Sequence, residues 1–161
     1  MAAAKAVAKG MGSGHKAAFK EQCREAGMCD LLVCGVADRF GDDAEVAGVL
    51  LEAIAGLAHD SPVNQEALRV LGACALVPRL MADHSADKGV QTHGLHCCAT
   101  LSWRNPKCQA ALAENNVCSL ISPAMEAFAT DRSLQVEGNI FAAVDHIPTH
   151  VLLLLFSPVD L

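Results

Sequence analysis

The sequence predicts an all-α protein assembled from about three related units, and three observations carry this. The apolar fraction is 52% while aromatics make up only 4% and Tyr is absent, so the apolar mass is Ala, Leu, Val and Cys. Ala and Leu favour helix, and small side chains let helices approach closely. The chain also resembles itself at an interval of 44 residues, the signature of a repeat architecture. Finally, each interval carries one apolar stripe with the spacing of a helix face.

The repeat can be laid out without a gap. LLEAIAGLAHDSPVNQ (Leu50–Gln65) lies over GLHCCATLSWRNPKCQ (Gly94–Gln109), with Pro62 on Pro106, Leu57 on Leu101 and Gln65 on Gln109. The same interval brings GACALVPRLM (Gly72–Met81) onto NVCSLISPAM (Asn116–Met125). GMCDLLVCGV (Gly27–Val36) falls on that pattern one step earlier, at an offset of 45, so Cys29, Cys74 and Cys118 share a position.

Each unit reads as three helices. The first is short and follows the Gln region, over Asn64–Leu71 and then Gln109–Glu114; the Pro just before it stops the preceding helix from running on. The second follows a Gly or Asn turn and covers about Ala75–His84 in the middle unit, with Pro78 in or near its first turn, where a missing N–H matters least. The third is long. The polar runs DD, ADK and TDR precede it and supply an Asp for capping. Its stripe is Val46, Leu50, Ala53, Ile54 and Leu57, then Val90, Gly94, Cys97, Cys98 and Leu101, then Leu134, Gly138, Phe141 and Ala142. The pattern decays at Asp145.

A unit of this kind cannot bury its apolar face alone, and stacked neighbours are needed to close a continuous core. The expected organisation is a flexible Ala/Lys-rich start over 1–15, an array over 16–145 divided near 16–63, 64–107 and 108–145, and a tail over 146–161. In that tail VLLLLF (Val151–Phe156) either folds back as an apolar cap or marks the cut end of a longer array that self-associates through its exposed repeat. The run is too short to span a membrane, which takes roughly 20 apolar residues.

The stretches NQEALRVLGACALVPRLM, VQTHGLHCCATLSW, CQAALAENNVCSLISPAM and LQVEGNIFAAV resemble armadillo repeats over about Lys16–Val144. The resemblance implies a right-handed α-solenoid in which the third helices line a groove for extended peptides of protein partners. In that family the peptide backbone is often clamped by an Asn, with a Trp four residues earlier. Here Gly56, Thr100 and Val144 stand at the Asn place, and Glu52, His96 and Ile140 at the Trp place. The clamp itself is missing, so the resemblance does not extend to recognition of basic nuclear signals.

The segment HGLHCC (His93–Cys98) raises a second reading, because imidazole and thiolate are the usual zinc ligands. His93 and Cys97 are one helical turn apart with His96 beside them, which makes His93, His96 and Cys97 the candidate cluster of a small metal-binding or thiol-dependent protein. Against it, Cys97 and Cys98 occupy the stripe filled by Ala53 and Ile54 one unit earlier and by Phe141 and Ala142 one unit later. Such a position is chosen for packing, and the cysteines read as core, with no metal ligand and no cofactor expected. Cys108, near the start of a short helix and after Lys107, is the best reactive thiol, and otherwise an oxidisable surface cysteine. No phosphate-binding loop, nucleophile elbow, metalloprotease or dinucleotide fingerprint occurs, and no catalytic residue is assigned.

Charge narrows the partner class. The net charge is −6 with scattered basic residues, whereas a nucleic-acid binder shows a basic stripe. Eight cysteines without a signal-peptide pattern suit reduced thiols in the cytoplasm. The first twenty residues carry four lysines and no acid, yet a mitochondrial presequence is usually Arg-rich and this segment has no Arg. The expectation is therefore a non-enzymatic interaction module or scaffold. Its partner-facing side chains lie off the stripe: Glu52, His93, His96, Thr100, Trp103 and Ile140. Trp103, the single Trp, packs over a turn or anchors a partner.

Overall fold

The computed structural model describes residues 16–144, and the described chain is entirely helical and turn. The start 1–15 and the tail from 145, including Val151–Phe156, lie outside the described residues. The elements in order are α1 (Lys16–Glu25), α2 (Met28–Asp30), a π segment (Leu31–Val36), α3 (Ala37–Phe40), α4 (Ala44–Ala58), α5 (Pro62–Val70), α6 (Ala73–Asp83), α7 (Lys88–Ser102), α8 (Pro106–Glu114), α9 (Cys118–Ala127) and α10 (Arg132–Val144). Several pack against their counterparts further along the chain: α1 on α5 and α5 on α8, α6 on α9, and the long helices α4 on α7 and α7 on α10.

The same local devices recur at the 44-residue interval. Asp43, Asp87 and Asp131 each stand before a long helix and accept from backbone N–H groups of its first turn: Glu45 and Val46, then Val90, then Leu134. A carboxylate there satisfies N–H groups that have no intrahelical partner and meets the positive end of the helix dipole. Before the second helices the chain turns through left-handed conformations at Gly27 (φ 75), Gly72 (φ 94) and Asn116 (φ 56). After the first two long helices it does so at Asp60 (φ 50) and Arg104 (φ 53).

Side-chain amides tie helix ends together. Gln91 Nε2 donates to the carbonyls of Met81 (2.7 Å) and His84 (3.2 Å), which close α6. One interval later Gln135 Nε2 donates to Met125 (2.8 Å) and Phe128 (3.4 Å), which close α9. The last carbonyls of a helix have no partner within it, so each Gln supplies a donor to one of them, Met81 O or Met125 O, and adds a second donor to His84 O or Phe128 O, which also accept from the N–H of Asp87 (3.0 Å) and Asp131 (2.9 Å). The place before these, residue 47, is a buried Ala.

The stripe read from the sequence is the core. Leu50, Ala53, Ile54, Leu57, Val90, Cys97, Cys98, Leu101, Leu134 and Phe141 are all fully buried. Burying one such aliphatic or aromatic side chain stabilises by about 1.5–3 kcal/mol, so these helices hold together mainly through this seam. Six of the eight cysteines are buried with it, and Cys34 and Cys118 are exposed.

Several boundaries differ from expectation. The short helices begin at Pro62 and Pro106, two and three residues before the predicted starts, because each Pro serves as the first helical residue and needs no N–H there. The second helix of the middle unit begins at Ala73, directly after the Gly72 turn, which puts Pro78 in its second turn and leaves the Cys74 carbonyl without its intrahelical donor. The offset of 45 in the first unit also has a structural reason. From Gly27 to Asp43 is 16 residues, while Gly72 to Asp87 and Asn116 to Asp131 are each 15. The π segment Leu31–Val36 lies inside that interval, and its wider turn takes up the extra residue.

Candidate functional site

The ends of three long helices meet at a cleft of about 310 Å³. His59 and Asp60 follow α4, His96, Ala99, Thr100 and Trp103 come from α7 and its end, and Glu137 and Ile140 come from α10. Its apolar walls are Trp103, 46% exposed, and Ile140, 43% exposed. The Arg104 guanidinium sits over the Trp103 ring, 5.5 Å from its centroid, which stiffens an otherwise free indole.

The α7 side of the cleft is held from behind. Gln65 Nε2 donates to the carbonyls of Thr100 (2.9 Å) and Trp103 (3.2 Å), its Oε1 accepts from Asn105 Nδ2 (3.2 Å), and Gln109 Nε2 donates to Ser102 O (3.2 Å). The main chain that carries Trp103 is thereby fixed by two neighbouring helices. The α10 side is joined to it by His96 Nδ1 and Glu137 Oε2 at 2.9 Å. At the rim His59 Nδ1 stands 3.3 Å from Asp60 Oδ2.

Of the six side chains named from the sequence, the cleft brings together His96, Thr100, Trp103 and Ile140. Glu52 and His93 do not line it. Glu52 is exposed on α4, and the His93 ring lies against α4, 3.8 Å from where a Cβ on Gly48 would sit. Thr100 contributes less than expected, being 8% exposed, and its hydroxyl donates to the carbonyls of His96 (3.1 Å) and Cys97 (3.0 Å). Sequence reasoning missed His59, Asp60, Ala99 and Glu137. Glu137 meets His96 at a separation of 41 residues, the interval less about one turn, a shift between neighbouring long helices that no local signal carries.

The alternative cluster does not converge. Cys97 is fully buried and desolvation pushes its thiol up, away from the thiolate a metal needs. His96 is engaged with Glu137, and among the described residues no group of three or more His, Cys, Asp or Glu side chains is placed to hold a metal ion. Cys108 is also not the surface thiol expected: it is fully buried, because α8 starts at Pro106 and turns residue 108 inward.

No family model, curated protein or solved structure matches the chain. Among the described residues no helix is long and apolar enough to cross a membrane.

Proposed function

We propose that the chain is an armadillo-like α-solenoid segment that works as a non-enzymatic protein-interaction module, with the α4–α7–α10 cleft receiving a segment of a protein partner. The observation that carries this reading is the cleft itself, where a half-exposed Trp and a half-exposed Ile flank a backbone fixed by Gln65 and Gln109. Partly exposed aromatic anchors on rigid supports are the usual centres of binding energy. The recurrence of Asp caps, Gln ties and left-handed turns at one interval supports the repeat reading. Eight cysteines with no disulfide among them fit a reducing compartment.

The mechanism is surface display. The apolar walls would desolvate one large side chain of the partner, while the His96–Glu137 pair and the rim residues His59 and Asp60 select its polar neighbours. The test is affinity capture from the source organism, followed by titration of the captured partner against Trp103→Ala/Ile140→Ala. Loss of about 30-fold or more in affinity is expected for anchors worth about 2 kcal/mol. Unchanged affinity in a variant that keeps its helical circular dichroism would overturn the assignment.

A further inference from the structure

Two rims of the cleft are equivalent places in the repeat, and each is held by a side chain from the first helix of its own unit. His59 and Trp103 stand 44 residues apart, directly after α4 and α7. Each is followed by a residue in the left-handed region, Asp60 and Arg104. The Trp103 carbonyl accepts from Gln65 Nε2 on α5 at 3.2 Å. The His59 carbonyl accepts from Lys20 Nζ on α1. The reach along the chain is nearly equal, 38 residues in one case and 39 in the other. The donors nevertheless differ in place. Where α5 has Gln65, α1 has Glu21, which is exposed and bonded to Arg24. Lys20, one residue earlier, reaches the cap carbonyl instead.

Lys20 is built into the junction of α1, α4 and α5. It is 5% exposed, and its own carbonyl accepts from Asn64 Nδ2 at 3.4 Å. Asn64 Nδ2 also donates to Leu57 O in the last turn of α4, at 3.0 Å. In that turn Ala55 O accepts from the His59 N–H (2.9 Å) and Ala58 O from the Ser61 N–H (3.1 Å). The His59 carbonyl comes next, and a cation beside it meets the negative end of the helix dipole.

We propose that Lys20 is a positioning residue of the cleft, its buried ammonium fixing the His59–Asp60 rim opposite the Trp103 rim that Gln65 fixes. The role rests on the cleft being the binding site. The two supports meet on α5, where the neighbours Asn64 and Gln65 bond to the ends of α4 and α7. Lys20, Asn64 and Gln65 thus set the separation of the rims, and none of the three lines the cleft. A ligand between the rims would feel Lys20 only through His59 and Asp60.

The test compares the full chain with Lys20→Met, which keeps an apolar stem without a donor, and with Lys20→Arg, which keeps a donor. The readouts are amide hydrogen exchange and acrylamide quenching of Trp103, the single Trp. In Lys20→Met, exchange of the His59 and Ser61 N–H groups should rise about tenfold or more and the quenching constant about 1.5-fold. The Trp103 and Asn105 N–H groups should exchange as in wild type, and Lys20→Arg should restore both readouts. Unchanged exchange at His59 and Ser61, or unchanged quenching, would overturn the role. So would a rise shared equally by the α5 amides, which would make Lys20 a packing residue of α1 on α5. If Lys20→Met loses its helical circular dichroism, Lys20→Gln, with a shorter polar end, carries the same comparison. Neither readout uses a partner, so failure here is distinct from failure of the Trp103→Ala/Ile140→Ala titration, which tests the cleft as a binding site.

Discussion

Met81 on α6 lies against Gly94 on α7 so closely that a Cβ on the glycine would stand 2.4 Å from Met81 Cγ and 2.6 Å from its sulfur. One interval later Met125 holds the same place against Gly138, with its sulfur 2.6 Å from the added carbon. In the first unit, past the π segment where the interval returns to 44, the corresponding residues are Ala37 and Leu50, both buried. The volume has moved from one side of the contact to the other, which explains why the stripe tolerates glycine at two of its three turns.

Gly94→Ala should therefore destabilise the protein by about 1–3 kcal/mol, the usual range for overpacking. Met81→Ala alone should also destabilise, by opening a cavity. The pair Met81→Ala/Gly94→Leu, which copies the first unit, should lose much less stability than the sum of the Met81→Ala and Gly94→Leu losses in a urea-denaturation cycle. Strict additivity would show that the contact does not couple the two positions.

The Gln ties give a second handle. Gln91→Ala leaves the Met81 carbonyl without its side-chain donor, while His84 O keeps the Asp87 N–H, and a loss of about 1–3 kcal/mol is expected from the unpaired buried group. Hydrogen exchange should rise first in the last turn of α6. A loss spread evenly over the molecule would argue against a local tie.

Acid should expose two carboxylates. The Arg69 and Lys107 side chains bonded to Glu66 hold it down to about 2, and the N–H of Leu134 together with Lys88 holds Asp131 below its ordinary value. Both folded values are depressed, so the stability they supply is present above the unfolded values near pH 4 and is lost as pH falls toward the folded ones. Glu66→Gln should flatten the decline between about pH 4.5 and 2. Asp131→Asn keeps a competent cap while removing its titration, so its Tm should change little at pH 7 and fall less than wild type in acid.

Trp103→Ala separates support from display. With the ring 46% exposed and its main chain held by Gln65, the expected change in folding free energy is under about 1 kcal/mol. A loss of 3 kcal/mol or more by thermal melting would make Trp103 a packing residue of the inter-helix turn.

Much of the helical frame was legible because its signals are local. The three Asp caps, the turn residues at 27, 72 and 116 and the buried stripe follow from spacing alone, and Cys97 and Cys98 could be moved out of a metal motif by comparing units. The cleft was half legible. His96, Trp103 and Ile140 could be named because they fall off the stripe. Glu137 could not, since its approach to His96 depends on how far one long helix is shifted against the next, a tertiary quantity. Thr100 looked available because a sequence does not show its hydroxyl turning back to His96 O and Cys97 O.

The π segment Leu31–Val36 acts as an expansion joint. One surplus residue in a regular α-helix would swing everything after it by about 100° and turn the next apolar face toward water. Here the surplus is discharged within a turn or two, and α3 rejoins the register that α4 requires. Length errors are thus absorbed in the second helices and excluded from the long ones, where the seam of Leu, Ile and Cys admits no slippage. Shortening the chain by Cys34, exposed inside the joint, should be accepted with the joint relaxing to plain α-helix, whereas removing Ile54 from α4 should abolish cooperative unfolding.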